Sequence, residues 1–250
     1  IYFHNDPLSM TGSTSIKERI FILNFCDKII FNSVWTKNRF FNNLNKFYSN
    51  SQKVSVIYQS TNKINIDLKK KGKIITFVGK LNKSKGYDIF GNSVLKILDE
   101  FKEWRAFVSG DEPREKISFV HKRLIKLGYQ SNKKVLELFK KSSIAVACSR
   151  WEEPFGRSSL EASSRGCAVI ISDRGGLPET ITDGIILKKL NSKELYKEIK
   201  SLIIDREKMI KIQIKSIRNF YLTNEYISNI IDNYRAELFN TSKIKNKNLK

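Results

Sequence analysis

Short apolar runs alternate along the chain with longer amphipathic segments. The runs at 28–32, 54–58, 73–78, 104–109, 144–148 and 168–172 are strand-length and rich in Val, Ile, Phe and Ala, so they read as buried strands. A shorter one follows near 185–187. Between them, apolar residues recur at helical spacing. Ser15 is an N-cap candidate with Glu18 at the capping-box position, which predicts a helix through Phe25. Ser33 caps a second helix over 34–44. Further helices are predicted over 87–102, 114–127, 132–141, 192–204, 206–219 and 224–238.

Strands that alternate with helices make a parallel α/β sheet with helices on its faces. The pattern breaks once. Residues 59–72 carry no periodicity and several polar side chains, and a fresh strand begins at Lys73. The chain therefore divides into a first Rossmann-like unit over 1–58, a linker over 59–72 and a second, complete Rossmann-like unit over 73–219. A helix over 220–240 and a disordered tail over 241–250 follow. The chain opens on Ile1 inside a strand pattern, which suggests that the first unit is incomplete.

Composition adds three constraints. With 250 residues, 40% of them hydrophobic, the chain can build a sizeable core. No run of 18 apolar residues exists, so no helix is predicted to span a membrane. Cys26, Cys148 and Cys167 are odd in number and lie in apolar surroundings. They read as buried free thiols of a reducing compartment, and with no secretory signal visible a cytoplasmic location is expected. His4 and His121 offer no zinc spacing with them.

The net charge of +21 invites an anionic partner: nucleic acid, membrane or substrate. Its lysines are spread along the chain, apart from Lys69, Lys70, Lys71 and Lys73 and the tail Lys243, Lys245, Lys247 and Lys250. No interleaved aromatic and basic motif of a nucleic-acid binder is present, so no nucleic-acid partner is expected. A basic face is compatible with peripheral contact at the inner, anionic face of a membrane.

The candidate chemistry is concentrated in one stretch, Cys148 to Ala162. A buried strand runs into Trp151-Glu152-Glu153-Pro154-Phe155-Gly156, a tight turn, and a helix is predicted to open near Phe155–Arg157. The first backbone N–H groups of a helix are unpaired and the dipole is positive there, which suits an anion. Glu153 and Glu161 flank the helix start, about 12 Å apart if the stretch were all helix. Carboxylates accept hydrogen bonds from hydroxyls, so one ligand with phosphates between two hydroxylated groups could span them.

This stretch, with Glu153, Pro154, Phe155, Gly156, Leu160, Glu161 and Ala162 in place, resembles the E-x7-E signature of the group 1 (family 4) retaining glycosyltransferases, which have the GT-B fold. The resemblance extends over nearly the whole chain. Gly79, Leu81, Lys85 and Gly86 match the family's G-R-L-x-x-x-K-G loop, whose two basic residues grip the donor diphosphate. Lys80 stands in place of the usual Arg, which keeps the charge and loses the bidentate fork. Ser109-Gly110-Asp111-Glu112-Pro113 resembles the loop beside the nucleotide, and Gly128-Tyr129-Gln130-Ser131 lies where the family binds the base. Gly175-Gly176-Leu177-Pro178-Glu179 resembles the G-G-x-P-E turn, although a glycine usual after Asp183-Gly184 is missing.

The resemblance implies an α/β protein of GT-B type that transfers a sugar from a UDP- or GDP-linked donor to a saccharide or lipid-linked acceptor. Retention of configuration is implied too. No metal ligand is assigned, since the sequence holds no Asp-x-Asp motif, and no cofactor is expected beyond the donor. Lys80, Lys85, Glu153 and His4 are the implied catalytic residues, His4 facing the donor sugar across a cleft. Glu161, Phe155, Gly156, Arg157, Ser158, Gly110, Gly175 and Gly176 are the implied donor-binding residues. The helix over 220–240 corresponds to the one that crosses back onto the first domain. Two other classes stay open: a non-catalytic GT-B-like module that binds a nucleotide sugar or a protein, and a nucleic-acid binder.

Overall fold

A computed structural model describes residues 1–5, 13–44 and 51–247, with side chains through residue 240. The chain forms two compact units, Ile1–Asn62 with Tyr221–Lys250, and Lys63–Phe220. The break falls inside the stretch expected to be a linker. Residues 63–72 belong to the second unit, where Ile66 is buried and Leu68–Lys70 form a 3-10 turn capped by Asp67.

The first unit has a three-stranded parallel sheet. Its strands, β1 (Tyr2–His4), β2 (Ile29–Phe31) and β3 (Val54–Val56), lie in that order. Helix α1 (Ile16–Phe25) starts at the full capping box predicted from sequence. Ser15 Oγ accepts from the Glu18 N–H at 3.2 Å and the Glu18 carboxylate accepts from the Ser15 N–H at 2.8 Å. Helix α2 (Val34–Phe40) starts at Ser33 and stops four residues before the predicted end. The Arg19 guanidinium donates to the carbonyls of Phe40 and Asn42 at 2.5 and 2.8 Å and so takes up acceptors that the end of α2 leaves open. The turn expected at Asp6 and Pro7 lies outside the described residues.

The second unit is built on six parallel strands: β4 (Gly72–Val78), β5 (Arg105–Ser109), β6 (Leu124–Lys126), β7 (Ser142–Ala147), β8 (Ala168–Ser172) and β9 (Ile185–Leu187). They lie in the order β6-β5-β4-β7-β8-β9. Numbered within the unit this is 3-2-1-4-5-6, the doubly wound order, and the sequence direction reverses between β4 and β7.

Successive residues of a strand face opposite sides. Ile144, Val146, Ala168 and Ile170 join one apolar layer with α3 (Tyr87–Glu100) and α6 (Ser192–Ile204). Ala145, Val169 and Ile171 join the other, with α4 (Asn132–Lys141) and α5 (Arg157–Ser164). Both faces are therefore covered, which is why these strands are continuously apolar. Helices α7 (Arg206–Asn219) and α8 (Asn224–Lys247) close the chain. Helix α8 groups with the first unit, where the Lys28 ammonium sits 3.9 Å from the centre of the Tyr234 ring. It continues through seven of the ten residues expected to be a disordered tail.

One predicted helix is corrected. Residues 114–127 are not helical: an irregular segment leads to β6, whose Leu124, Ile125 and Lys126 pair with Ala106, Phe107 and Val108 of β5. Pairing at the sheet edge satisfies backbone groups in register, and tertiary context overrides helix propensity. The Phe119 ring packs edge-on to Tyr87, 5.5 Å between centroids, and fills the space over Gly91, where even a Cβ would lie 2.0 Å from it.

Candidate functional site

In doubly wound sheets ligands bind beyond the carboxyl ends of the strands, at the point where strand order reverses. Here that point lies between the loop after β4, residues 79–86, and the loop after β7, residues 148–156. A cavity of about 350 Å³ opens there. Its wall includes Gly79 and Lys85 from the first loop, Ser149, Glu153 and Gly156 from the second, Arg157, Ser158 and Glu161 from α5, and Tyr129, Gln130 and Asn132 from the approach to α4.

The two loops are joined by main-chain contacts. The Ser84 carbonyl accepts from the N–H groups of Arg150 and Trp151 at 2.8 and 3.0 Å. Arg150 pairs with Asp88 through two hydrogen bonds of 2.6 and 2.8 Å and also donates to the Lys83 carbonyl. That pairing holds the Asp88 carboxyl below the usual carboxylate range. Gly86 has φ +74°, and a Cβ there would lie 1.9 Å from the Cys148 carbonyl, so only glycine lets the loops approach this closely.

Lys85 is set by a relay. Its backbone N–H donates to Asn82 Oδ1 at 2.9 Å, and Asn82 Nδ2 donates to Glu112 at 3.1 Å. Arg114 grips Glu112 with two further bonds of 2.7 and 2.9 Å and drives its carboxyl pKa down to about 2. The Lys85 side chain then reaches Glu153 Oε1 in a direct ion pair, both side chains being partly to largely buried.

Glu153 is fixed from behind. Its carbonyl accepts from the Gly176 N–H at 2.6 Å, and Gly175, at φ +59°, packs so closely that a Cβ would lie 2.2 Å from the same oxygen. Phe155, 1% exposed, anchors the turn in the interior. Gly156 precedes α5, and no side chain caps that helix. The N–H groups of Arg157 and Ser158 therefore border the cavity as a positive dipole end.

Glu161 is 4% exposed. Its Oε1 accepts from Arg157 and from Asn132 Nδ2, each at 2.9 Å, while Oε2 has no hydrogen-bond partner among the described residues. A buried carboxylate oriented by two donors, with one oxygen unused, is suited to hydroxyl groups.

Of the residues singled out from sequence, the cavity brings together Lys85, Glu153, Gly156, Arg157, Ser158 and Glu161. Phe155, Gly175 and Gly176 support the Glu153 turn from outside it. Gly110 (φ +135°) does the same for the first loop, since a Cβ there would lie 1.9 Å from the Gly79 carbonyl. Lys80 is exposed, outside the wall, and makes no ion pair or hydrogen bond among the described residues. His4 lies in the first unit, 1% exposed, with its ring against Phe31 and Phe40 at centroid distances of 5.5 and 4.9 Å. Asn132, Asn82 and the Glu112–Arg114 pair were not singled out. Asn82 stands three residues before Lys85 in one loop, but nothing in local spacing links Glu112 to Asn82 or Asn132 to Glu161, because those contacts close only when separate segments meet.

The doubly wound second unit, with its site at the sheet's switch point, is of GT-B type. The chain is similar over 94% of its length to chain-length 71% of Anabaena Alr3699/HepE, solved in complex with UDP-glucose, at a TM-score of 0.75 and 18% identity. It is also similar to a mutant of S. aureus TarM, at a TM-score of 0.71 and 16% identity over 87% of this chain and 46% of that one. The model of the family described as glycosyl transferases group 1 matches residues 59–219, and the chain belongs to that family.

Among curated relatives, it is 32% identical over 126 residues to an uncharacterized 41.2 kDa protein in the cps region of Klebsiella pneumoniae, covering 50% of this chain and 34% of that protein. It is 31% identical over 118 residues to the lipopolysaccharide core biosynthesis mannosyltransferase LpcC of Rhizobium leguminosarum, covering 42% and 33%. The matches thus span about a third of those relatives' own lengths.

Proposed function

We infer that the chain carries the donor site of a glycosyltransferase that moves a sugar from a UDP- or GDP-linked donor to a saccharide or lipid-linked acceptor, with retention and without a metal. The observation that carries this reading is the single cavity that gathers Lys85, Glu153, Glu161 and the uncapped start of α5. In sugar transfer the leaving diphosphate gains negative charge as the glycosidic bond breaks. Cations and backbone N–H groups aimed at that charge lower the barrier. Lys85 and the N–H groups of Arg157 and Ser158 would do this, with Lys80 as a further exposed charge on the loop after β4.

Glu161, oriented by Arg157 and Asn132, would accept from the ribose hydroxyls, and Glu153 from hydroxyls of the transferred sugar. Tyr129, 79% exposed at the cavity, offers a ring to the base. The cation set and the lack of an Asp-x-Asp sequence support chemistry without a metal. Family membership supports retention, with attack on the same face and the leaving phosphate taking the acceptor proton. Relatives named for the lipopolysaccharide core and the cps region support a cell-surface glycan as acceptor.

The test is transfer from labelled UDP- and GDP-sugars by the full protein, with and without a chelator, followed by NMR of the product's anomeric proton. Chelator-resistant transfer with retention is expected. Activity abolished by the chelator, or an inverted product, would refute the metal-free or the retaining part.

A further inference from the structure

The cavity has two cationic side chains on its wall, and each is paired. Lys85 is engaged by Glu153 and Arg157 by Glu161. The two cations of the wall are therefore matched by two carboxylates, and an entering diphosphate has to compete with a carboxylate for Lys85. The competition is local, because neither partner can withdraw far. Glu153 is held through its carbonyl by the Gly176 N–H at 2.6 Å, with Gly175 packed against it. Lys85 is held through its backbone N–H by Asn82 at 2.9 Å.

Resting on the donor-site reading above, we propose that the Lys85–Glu153 ion pair is exchanged on donor binding and makes Glu153 a specificity residue that selects the sugar-loaded donor over the bare nucleoside diphosphate. An intact donor replaces both halves of the pair: its diphosphate takes Lys85 and its sugar hydroxyls take the Glu153 carboxylate. A bare diphosphate takes Lys85 alone. It leaves Glu153 without a donor, beside added negative charge, in a place where its side chain is only 14% exposed. The site thereby disfavours the product that each transfer leaves behind.

The test is calorimetric titration of the protein with inorganic pyrophosphate, UDP and GDP, probes that carry the diphosphate and no sugar. Glu153→Gln keeps the shape of the side chain and removes its charge. It is expected to tighten all probes that bind, by about three- to tenfold, since Lys85 no longer has to leave a carboxylate. In a Lys85→Met background the same change is expected to tighten binding by a smaller factor, since only the repulsion between Glu153 and the diphosphate is then relieved. If Lys85→Met alone abolishes binding, Lys85 is the essential anion contact and the gain measured with Lys85 present decides the matter. Glu153→Ala, read beside Glu153→Gln with thermal melts of each, separates the charge effect from misfolding. No tightening with Lys85 present, or equal tightening in both backgrounds, overturns the exchange while leaving the donor site standing. No binding of any probe to any variant overturns the donor-site reading and the exchange with it.

Discussion

In the proposed reaction, Lys85 is the residue on which the chemistry turns. Its ground-state gain from a bound diphosphate is offset by the loss of Glu153, so its net contribution grows as the leaving group gains charge. Lys85→Ala is therefore expected to lower kcat by about 10²–10³-fold, more than it raises KM, in steady-state assays with a labelled nucleotide sugar. A variant that turns over normally would remove Lys85 from the mechanism. At this scale the sequence was most legible where residues are close along the chain. Glu153, Gly156 and Glu161 sit on one turn and one short helix, so their spacing carries their geometry. Asn132 lies 29 residues from Glu161, and only the fold makes them neighbours.

The loop over 79–86 shows how elements place such a residue. It is clamped on one side by the 149–151 loop and on the other by residues 111–115, where Glu112 holds Asn82 and the Glu115 carboxylate accepts from the Lys83 N–H at 3.0 Å. Glu112 titrates near 2 when folded, against an ordinary 4.5. A depressed carboxyl contributes stability that is fully present above its unfolded pKa and is lost as pH falls through the folded value. In urea melts of wild type and Glu112→Gln, the wild-type advantage should be constant from about pH 7 to 5, shrink below it and vanish near pH 2. An advantage unchanged at low pH would contradict the pairing with Arg114.

The same region holds the one predicted helix that the structure replaces. Residues 117–122 alternate in burial, with Ile117, Phe119 and His121 turned inward relative to their neighbours, a period of two that charged residues and the run Leu124-Ile125 obscured. Strand length and edge pairing are decided by β5, not by local propensity. The capping box at Ser15, the Ser33 N-cap and the central strands, by contrast, follow from residues within a turn or two of each other.

Across the whole molecule, the alternation of strands and helices gave the α/β class, but strand order is set by contacts between distant segments. That β4 and β7 are neighbours, with the crevice between their ends, could not be read from the chain and needed the resemblance carried by Glu153 to Ala162. The net charge of +21 leaves no surplus on the cavity wall, since its two cations are each matched by a carboxylate.

The central claim is that the second unit binds a nucleoside diphosphate between Lys85 and Glu161. Titration of UDP and GDP into wild type and Glu161→Ala, in chelator, tests it most directly. Loss of hydrogen bonds to a charged group, about 1.5–3 kcal/mol, predicts about ten- to a hundredfold weaker binding of the preferred nucleotide by the folded variant. Equal affinity in the two proteins would contradict the claim.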